Sequence, residues 1–210
     1  MWPRRVLGSS AAAAAACAAW STTGSLCHSK ALPDEGRVPP PAGLRQVLTS
    51  VAQNLRVDHW RVSGLASDQP WSVEKRTLHG GRQEGVDIIE VDNGRLKFTV
   101  VPTRGMSIGS LEAADAGGGG RQSFGWASPV REYPHPAHVD LQDFGGLGWL
   151  TGFNEWCVRC GVAFAGHPAE EAGGHLLTLH GRIGNIPASE VEVVVDAEAP
   201  HHIRVRRLCP

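Results

Sequence analysis

The run Leu179-His180-Gly181-Arg182-Ile183-Gly184-Asn185-Ile186-Pro187-Ala188 brings an imidazole, a guanidinium and a carboxamide together between two strand-like segments. An imidazole exchanges a proton near neutral pH, and a guanidinium holds a hydroxyl or carboxylate oxygen with a planar fork of donors. Glycines at 181 and 184 let a ligand approach the backbone closely. The combination suits a sugar better than a phosphate or a metal ion. A lone histidine is usually satisfied by neighbouring backbone, but Arg182 and Asn185 beside His180 tip the reading toward a site. His180 is therefore the candidate catalytic residue, with Arg182 and Asn185 as candidate sugar ligands.

Other residues offer chemistry with weaker spacing. Arg104, in Val101-Pro102-Thr103-Arg104-Gly105-Met106, stands where a strand enters a loop. Trp126, Trp149 and Trp156 are separated by glycine-rich turns, where flat side chains can stack on the C–H face of a pyranose; Trp149 is the candidate ligand among them. Asn154 and Glu155 follow Gly152-Phe153, and a carboxylate there serves equally as a base, a hydroxyl acceptor or a plain surface charge. His135, His138, Asp140 and Asp143 cluster around Pro134 and Pro136. A solvated proline-rich loop explains them first, sugar contact through His135 second and metal binding last. Cys157 and Cys160 have zinc-knuckle spacing but no second pair. Residues 156–164 alternate like a strand, which puts the two thiols on opposite faces. No Lys-Ser or Lys-Thr follows the loop tip of Gly117 to Gly120, so it is no phosphate cradle. No metal and no cofactor is expected.

The elements that must position these residues are mostly strands. Residues 86–91 and 95–101 flank Asp92-Asn93-Gly94, and Leu96, Phe98 and Val100 alternate with polar neighbours, which predicts a hairpin. Val191, Val193 and Val195 form another strand, and Ile203 with Val205 begins one more. Leu44, Val47, Leu48, Val51 and Leu55 follow the helical period, so residues 44–57 are expected as a short N-terminal amphipathic helix. Lys and Arg number 20 against 21 Asp and Glu, with no basic stripe beside aromatics, which argues against a nucleic-acid partner. No apolar run after the leader is long enough for a membrane span.

Residues 1–33 have the composition of a targeting leader: Arg4 and Arg5 precede an alanine run, and no acidic residue comes before Asp34. A twin-arginine signal would send the protein to the periplasm or outside the cell; the alternatives are an organelle transit peptide and a cytoplasmic protein with a low-complexity start. Residues 34–43, with Pro39-Pro40-Pro41, read as a linker. Of five cysteines, Cys17 and Cys27 fall at the leader, and the odd remainder of Cys157, Cys160 and Cys209 argues against a disulfide framework.

The hairpin with its Pro102-Thr103-Arg104-Gly105-Met106 exit comes first, followed by Gly125-Trp126-Ala127-Ser128-Pro129. Next are Gly146-Leu147-Gly148-Trp149-Leu150-Thr151-Gly152-Phe153-Asn154-Glu155, Arg159-Cys160-Gly161 and Leu179-His180-Gly181-Arg182. This ordered series resembles the aldose 1-epimerase family of the galactose mutarotase-like superfamily. The resemblance implies a mostly antiparallel β-sandwich with a sugar-binding cleft, of which residues 44–210 form the N-terminal part. It implies a histidine as general acid on the ring oxygen and a glutamate as general base on the anomeric hydroxyl. His180 matches the family's Leu-His-Gly histidine, as substrate holder or acid, and Arg182 and Arg104 would hold hydroxyls. It further implies on the order of a hundred more residues carrying the glutamate and a second histidine, so the sequence reads as C-terminally truncated. The expected function is anomer interconversion on a small-molecule sugar. The alternatives are a carbohydrate-binding module without catalysis, an inactive fragment, and a metal-dependent sugar isomerase built on the cluster at 135–143.

Overall fold

The computed structural model describes residues 43–66, 69–115, 119–196 and 203–207. Every described residue belongs to one compact unit. The expected leader, the linker up to residue 42, Cys17, Cys27, Cys209 and half of the glycine loop at 117–120 lie outside the described residues.

Strands β1 (Leu44–Ser50), β2 (Leu55–Arg56), β3 (His59–Ala66), β4 (Gln69–Thr77), β5 (Asp87–Asp92) and β6 (Leu96–Val101) come first. They are followed by β7 (Ser107–Ala114), β8 (Arg121–Ser123), β9 (Ala169–Glu170), β10 (Leu176–Leu177), β11 (Glu190–Val195) and β12 (Ile203–Arg207). Consecutive strands β3 to β8 form a six-stranded meander, while β12-β11-β1-β2 form a four-stranded sheet and β9 pairs with β10. All strand pairings are antiparallel.

The two larger sheets close over one apolar core. Leu48 of β1 and Val191, Val193 and Val195 of β11 meet Val73 of β4, Ile89 and Val91 of β5 and Val100 of β6. This is the face-to-face packing of a β-sandwich, with alternate residues of each strand pointing inward. On the other face of the meander, Val86, Ile88 and Val101 pack with Leu78 and Tyr133. Burial on both faces explains why β5 and β6 carry consecutive apolar residues where they meet.

The predicted hairpin is β5–β6. Its turn is held by side chains more than by paired positive φ angles: only Gly94 is left-handed, at φ 82°, and Asn93 Oδ1 accepts from the N–H groups of Arg95 and Leu96. Strands β11 and β12 also stand where the valine alternation puts them.

The expected helix at 44–57 is not formed. The segment is β1, a turn and β2, with β1 paired along β11 from Leu44↔Val195 to Ser50↔Glu190. A bulge between Val47 and Thr49 adds one residue to the strand. Of the five apolar residues at helical spacing, Leu48 is in the buried core while Leu44 and Val51 are exposed, so the helical spacing marks no buried face. Ser50 then ends the strand, its Oγ accepting from Gln53 N–H and donating to Glu190. Residues 156–164 are likewise no strand: among them only Gly161 makes a bridge, to Gly181, and Val162 is 94 % exposed. Side chains tie this segment down instead, through Trp156 Nε1 to the Phe124 carbonyl and Arg159 to the carbonyls of Arg104 and Gly105.

These assignments separate two residues that a helix would treat alike. Leu48 is fully buried and Val51 is 71 % exposed. Leu48→Ala is expected to cost about 2–5 kcal/mol, and Val51→Ala to stay within about 0.5 kcal/mol, in urea unfolding followed by circular dichroism. Equal losses would restore the helix.

Candidate functional site

Two turns rich in glycine are locked together beyond the sandwich core. After β6 the chain makes a 3-10 turn over Pro102–Arg104, closed by left-handed Gly105. The motif after β10 contains a second such turn, Ile183–Asn185. A Cβ at Gly105 would collide with the Ile183 carbonyl oxygen, so glycine is required there by space as well as by φ. The Ala188 N–H donates to the Pro102 carbonyl at 3.0 Å and completes the join.

Beneath the join lies a charged triad. Arg104 is 2 % exposed; its Nη1 donates to the Pro134 carbonyl at 3.1 Å, and its Nη2 stands 3.5 Å from Glu155 Oε1. Arg159 approaches the other carboxylate oxygen at 3.6 Å and donates to the Gly105 and Arg104 carbonyls at 2.6 and 2.8 Å. Glycines again make the room, because a Cβ at Gly152 would press on Arg104 Nη1 and one at Gly184 would crowd Glu155. Burial pushes the Glu155 carboxyl above its usual range although both guanidiniums oppose it, and burial lowers Arg104 despite the Glu155 charge. Arg104 and Glu155, expected as substrate contacts, are thus paired with each other inside the protein.

His180 lies on the outer side of this join. Its backbone is left-handed at φ 58°, its N–H donates to the Gly166 carbonyl at 2.9 Å, and its carbonyl accepts from Gly161 N–H at 3.0 Å. A histidine in that backbone region is uncommon, and the pair of hydrogen bonds holds it there. The ring packs edge-on against Trp149 at 4.8 Å, and its Nδ1 is 3.2 Å from Cys160 Sγ. Trp149 is buried and stacks on Phe153 at 4.2 Å, so it supports the histidine and does not offer an open platform. Cys157 and Cys160 are both exposed free thiols.

A cavity of about 570 Å³ borders the motif, lined among others by Asp140, Phe164, His175, Thr178, Gly181 and Arg182. Arg182 is exposed on its wall. Sequence reasoning found Arg182 but passed over Phe164, His175 and Thr178, for which adjacency to His180 was a signal only at Thr178. Asn154 donates to the Glu132 carbonyl, and the Asn185 carboxamide is buried without a hydrogen-bond partner among the described residues.

His135 belongs to a different cavity of about 210 Å³, shared with Arg56, Asp87 and Thr103. Its Nδ1 accepts from Ala137 N–H and caps the turn Pro136–His138. Burial, then the nearby charges of His138, Arg56 and Arg104, lower its pKa against the pull of Asp87. Behind it, fully buried Lys75 stands 2.8 Å from Asp87, which also accepts from Arg56 and Thr77. Burial alone would raise the Asp87 carboxyl, but these donors outweigh it and hold it below the ordinary range. Among the described residues, no group of three or more His, Cys, Asp or Glu side chains is arranged to hold a metal ion, and no helix is long and apolar enough to cross a membrane.

The triad predicts two measurable effects. Arg104→Met leaves the Pro134 carbonyl and one Glu155 oxygen without their cation, and is expected to cost about 3 kcal/mol or more in chemical unfolding. Glu155, raised in the folded state, binds its proton more tightly there than when unfolded. Stability relative to Glu155→Gln should therefore be highest below pH 4.5 and fall as pH rises through the folded-state value. A difference that grows with pH would reverse the assignment.

The family described as "Domain of unknown function (DUF4432)" matches residues 83–208. A crystal structure of a candidate aldose 1-epimerase from Klebsiella pneumoniae subsp. pneumoniae MGH 78578 is similar at 41% sequence identity and a TM-score of 0.72. The match covers 79% of this chain and 42% of that one, so the chain spans less than half of its solved relative. Among curated proteins none matches. With its antiparallel sandwich and the ordered motifs in place, the chain belongs to the DUF4432 family, which is galactose mutarotase-like.

Proposed function

We propose that this chain forms one wall of a sugar site in an aldose 1-epimerase-like protein, with His180 and Arg182 facing the substrate. The observation that carries this reading is that Gly181 and Arg182, the residues following His180, line a cavity of about 570 Å³ in a fold shared with the Klebsiella candidate epimerase. That volume lies within the range of small-molecule sites, about 300–1,000 Å³. The Arg182 fork suits neighbouring hydroxyls, Phe164 offers an apolar face to the C–H side of a pyranose, and Asp140 and Thr178 supply further polar groups.

In the epimerase chemistry His180 gives a proton to the ring oxygen as a base takes the proton of the anomeric hydroxyl. The bond from ring oxygen to anomeric carbon breaks, and the hydroxyl oxygen becomes a carbonyl. After rotation about the adjacent carbon–carbon bond the steps reverse, both protons return, and the other anomer results. Glu155 is buried and engaged by buried Arg104 and part-exposed Arg159, and the family resemblance leaves the base to a glutamate outside the described residues. That burial also favours a second reading, sugar recognition without turnover.

Freshly dissolved single anomers of a hexose panel, followed by polarimetry with the full chain, separate these readings, with calorimetry reporting binding. Faster equilibration supports the epimerase, heat without faster equilibration supports recognition alone, and neither with any sugar overturns both. His180→Asn keeps a residue that tolerates left-handed backbone and is expected to weaken sugar binding about tenfold while the unfolding midpoint holds. Parallel loss of binding and stability would make His180 structural.

A further inference from the structure

Cys160 and His180 are twenty residues apart in the chain, and the fold brings Sγ to 3.2 Å from Nδ1. Their backbones are fastened on both sides: Gly161 N–H donates to the His180 carbonyl, and Ile183 N–H donates to the Gly161 carbonyl, each at 3.0 Å. The approach depends on Gly181, left-handed at φ 72°, where a Cβ would press on the carbonyl oxygens of Phe164 and Gly161. Trp149 confines the imidazole with an edge-on contact at 4.8 Å. Nδ1 is thereby held at the sulfur.

Chemistry then decides where the imidazole proton lies. A thiol S–H is a donor and its sulfur a weak acceptor, whereas the bare nitrogen of a neutral imidazole is a good acceptor. With S–H donating to Nδ1, the ring proton sits on Nε2. If the proton moves across to give thiolate and imidazolium, Nε2 still carries its own. Only a ring N–H donating to the weakly accepting sulfur would leave Nε2 bare.

We infer that Cys160 is a positioning residue for His180, occupying Nδ1 so that Nε2 is left as the proton donor of the ring. The inference rests on the reading of His180 as a substrate-facing group, and it gives Cys160 a role that its sequence context does not suggest. Cys160 touches no reacting atom; it acts through the ring it holds.

The test is imidazole ¹⁵N spectroscopy of the full chain without sugar, the His180 signals being assigned by their loss in His180→Asn. Neutral His180 is expected with its proton on Nε2 in the wild type and in Cys160→Ser, which keeps a donor, and as a mixture of tautomers in Cys160→Ala. Sugar affinity is expected to fall about tenfold in Cys160→Ala and to recover to within about threefold in Cys160→Ser. A wild-type proton on Nδ1 overturns the inference, whether or not the alanine variant folds. So does a tautomer ratio unchanged in folded Cys160→Ala, even if sugar binds. Tautomers that follow Cys160 in a chain no sugar perturbs uphold the positioning and refute the sugar site, so the two failures are distinguishable.

Discussion

Arg104 enters the protein at the end of β6, and a guanidinium taken out of water is tolerable only where acceptors and a counter-charge are already in place. Pro134, Glu155 and Arg159 supply that setting, the first from one stretch of loop and the other two from another. The loops after β8 therefore cannot be placed independently of the hairpin. Arg159 closes the arrangement by donating to the carbonyls of Arg104 and Gly105 while its charge stands against Glu155. Small residues are the steric half of the same constraint: a side chain at 152 or 184 would press on Arg104 or Glu155, and one at 105 would collide with the Ile183 carbonyl.

The consequence for the site is a separation of tasks. Groups with the strongest charges, Arg104 and Glu155, hold the loops, while the surface that borders the cavity carries Arg182, Asp140, Thr178 and the aromatic Phe164. His180 lies between the two layers, its backbone fixed by Gly161 and Gly166 and its ring by Trp149 and Cys160. A second charged cluster, Lys75 with Asp87 and Arg56, lies near His135 beside the same join, where Asp87 N–H donates to Thr103 Oγ1. His135 lines the smaller cavity, while His180 stands next to Gly181 and Arg182, which line the larger one.

Legibility followed the range of the physics. Alternation and Asn-Gly made β5 and β6 readable, and the valines of β11 were equally plain. The β1 segment was misread because its apolar residues fit a 3.6 period by spacing alone, whereas Leu48 is buried in the core and Leu44 and Val51 are exposed. Residues 156–164 alternate by coincidence: their exposed valines and side-chain tethers show that no sheet face selects the pattern. At the site, residue types were readable but depth was not. Trp149, Arg104 and Glu155 look in sequence like ligands and are buried in the fold.

By itself the sequence determined a mostly β chain, its central hairpin and the chemistry available in the motif at 179–188, because turn residues and strand alternation act over a few neighbouring positions; the antiparallel sandwich followed from the family resemblance. Which charges go inside, which side chains line a cavity and which atom of His180 is held by sulfur were decided only by tertiary structure. Those outcomes depend on segments twenty to more than fifty residues apart coming into contact, as with Cys160 and His180 or Arg159 and Gly105. No local pattern records whether such partners will meet.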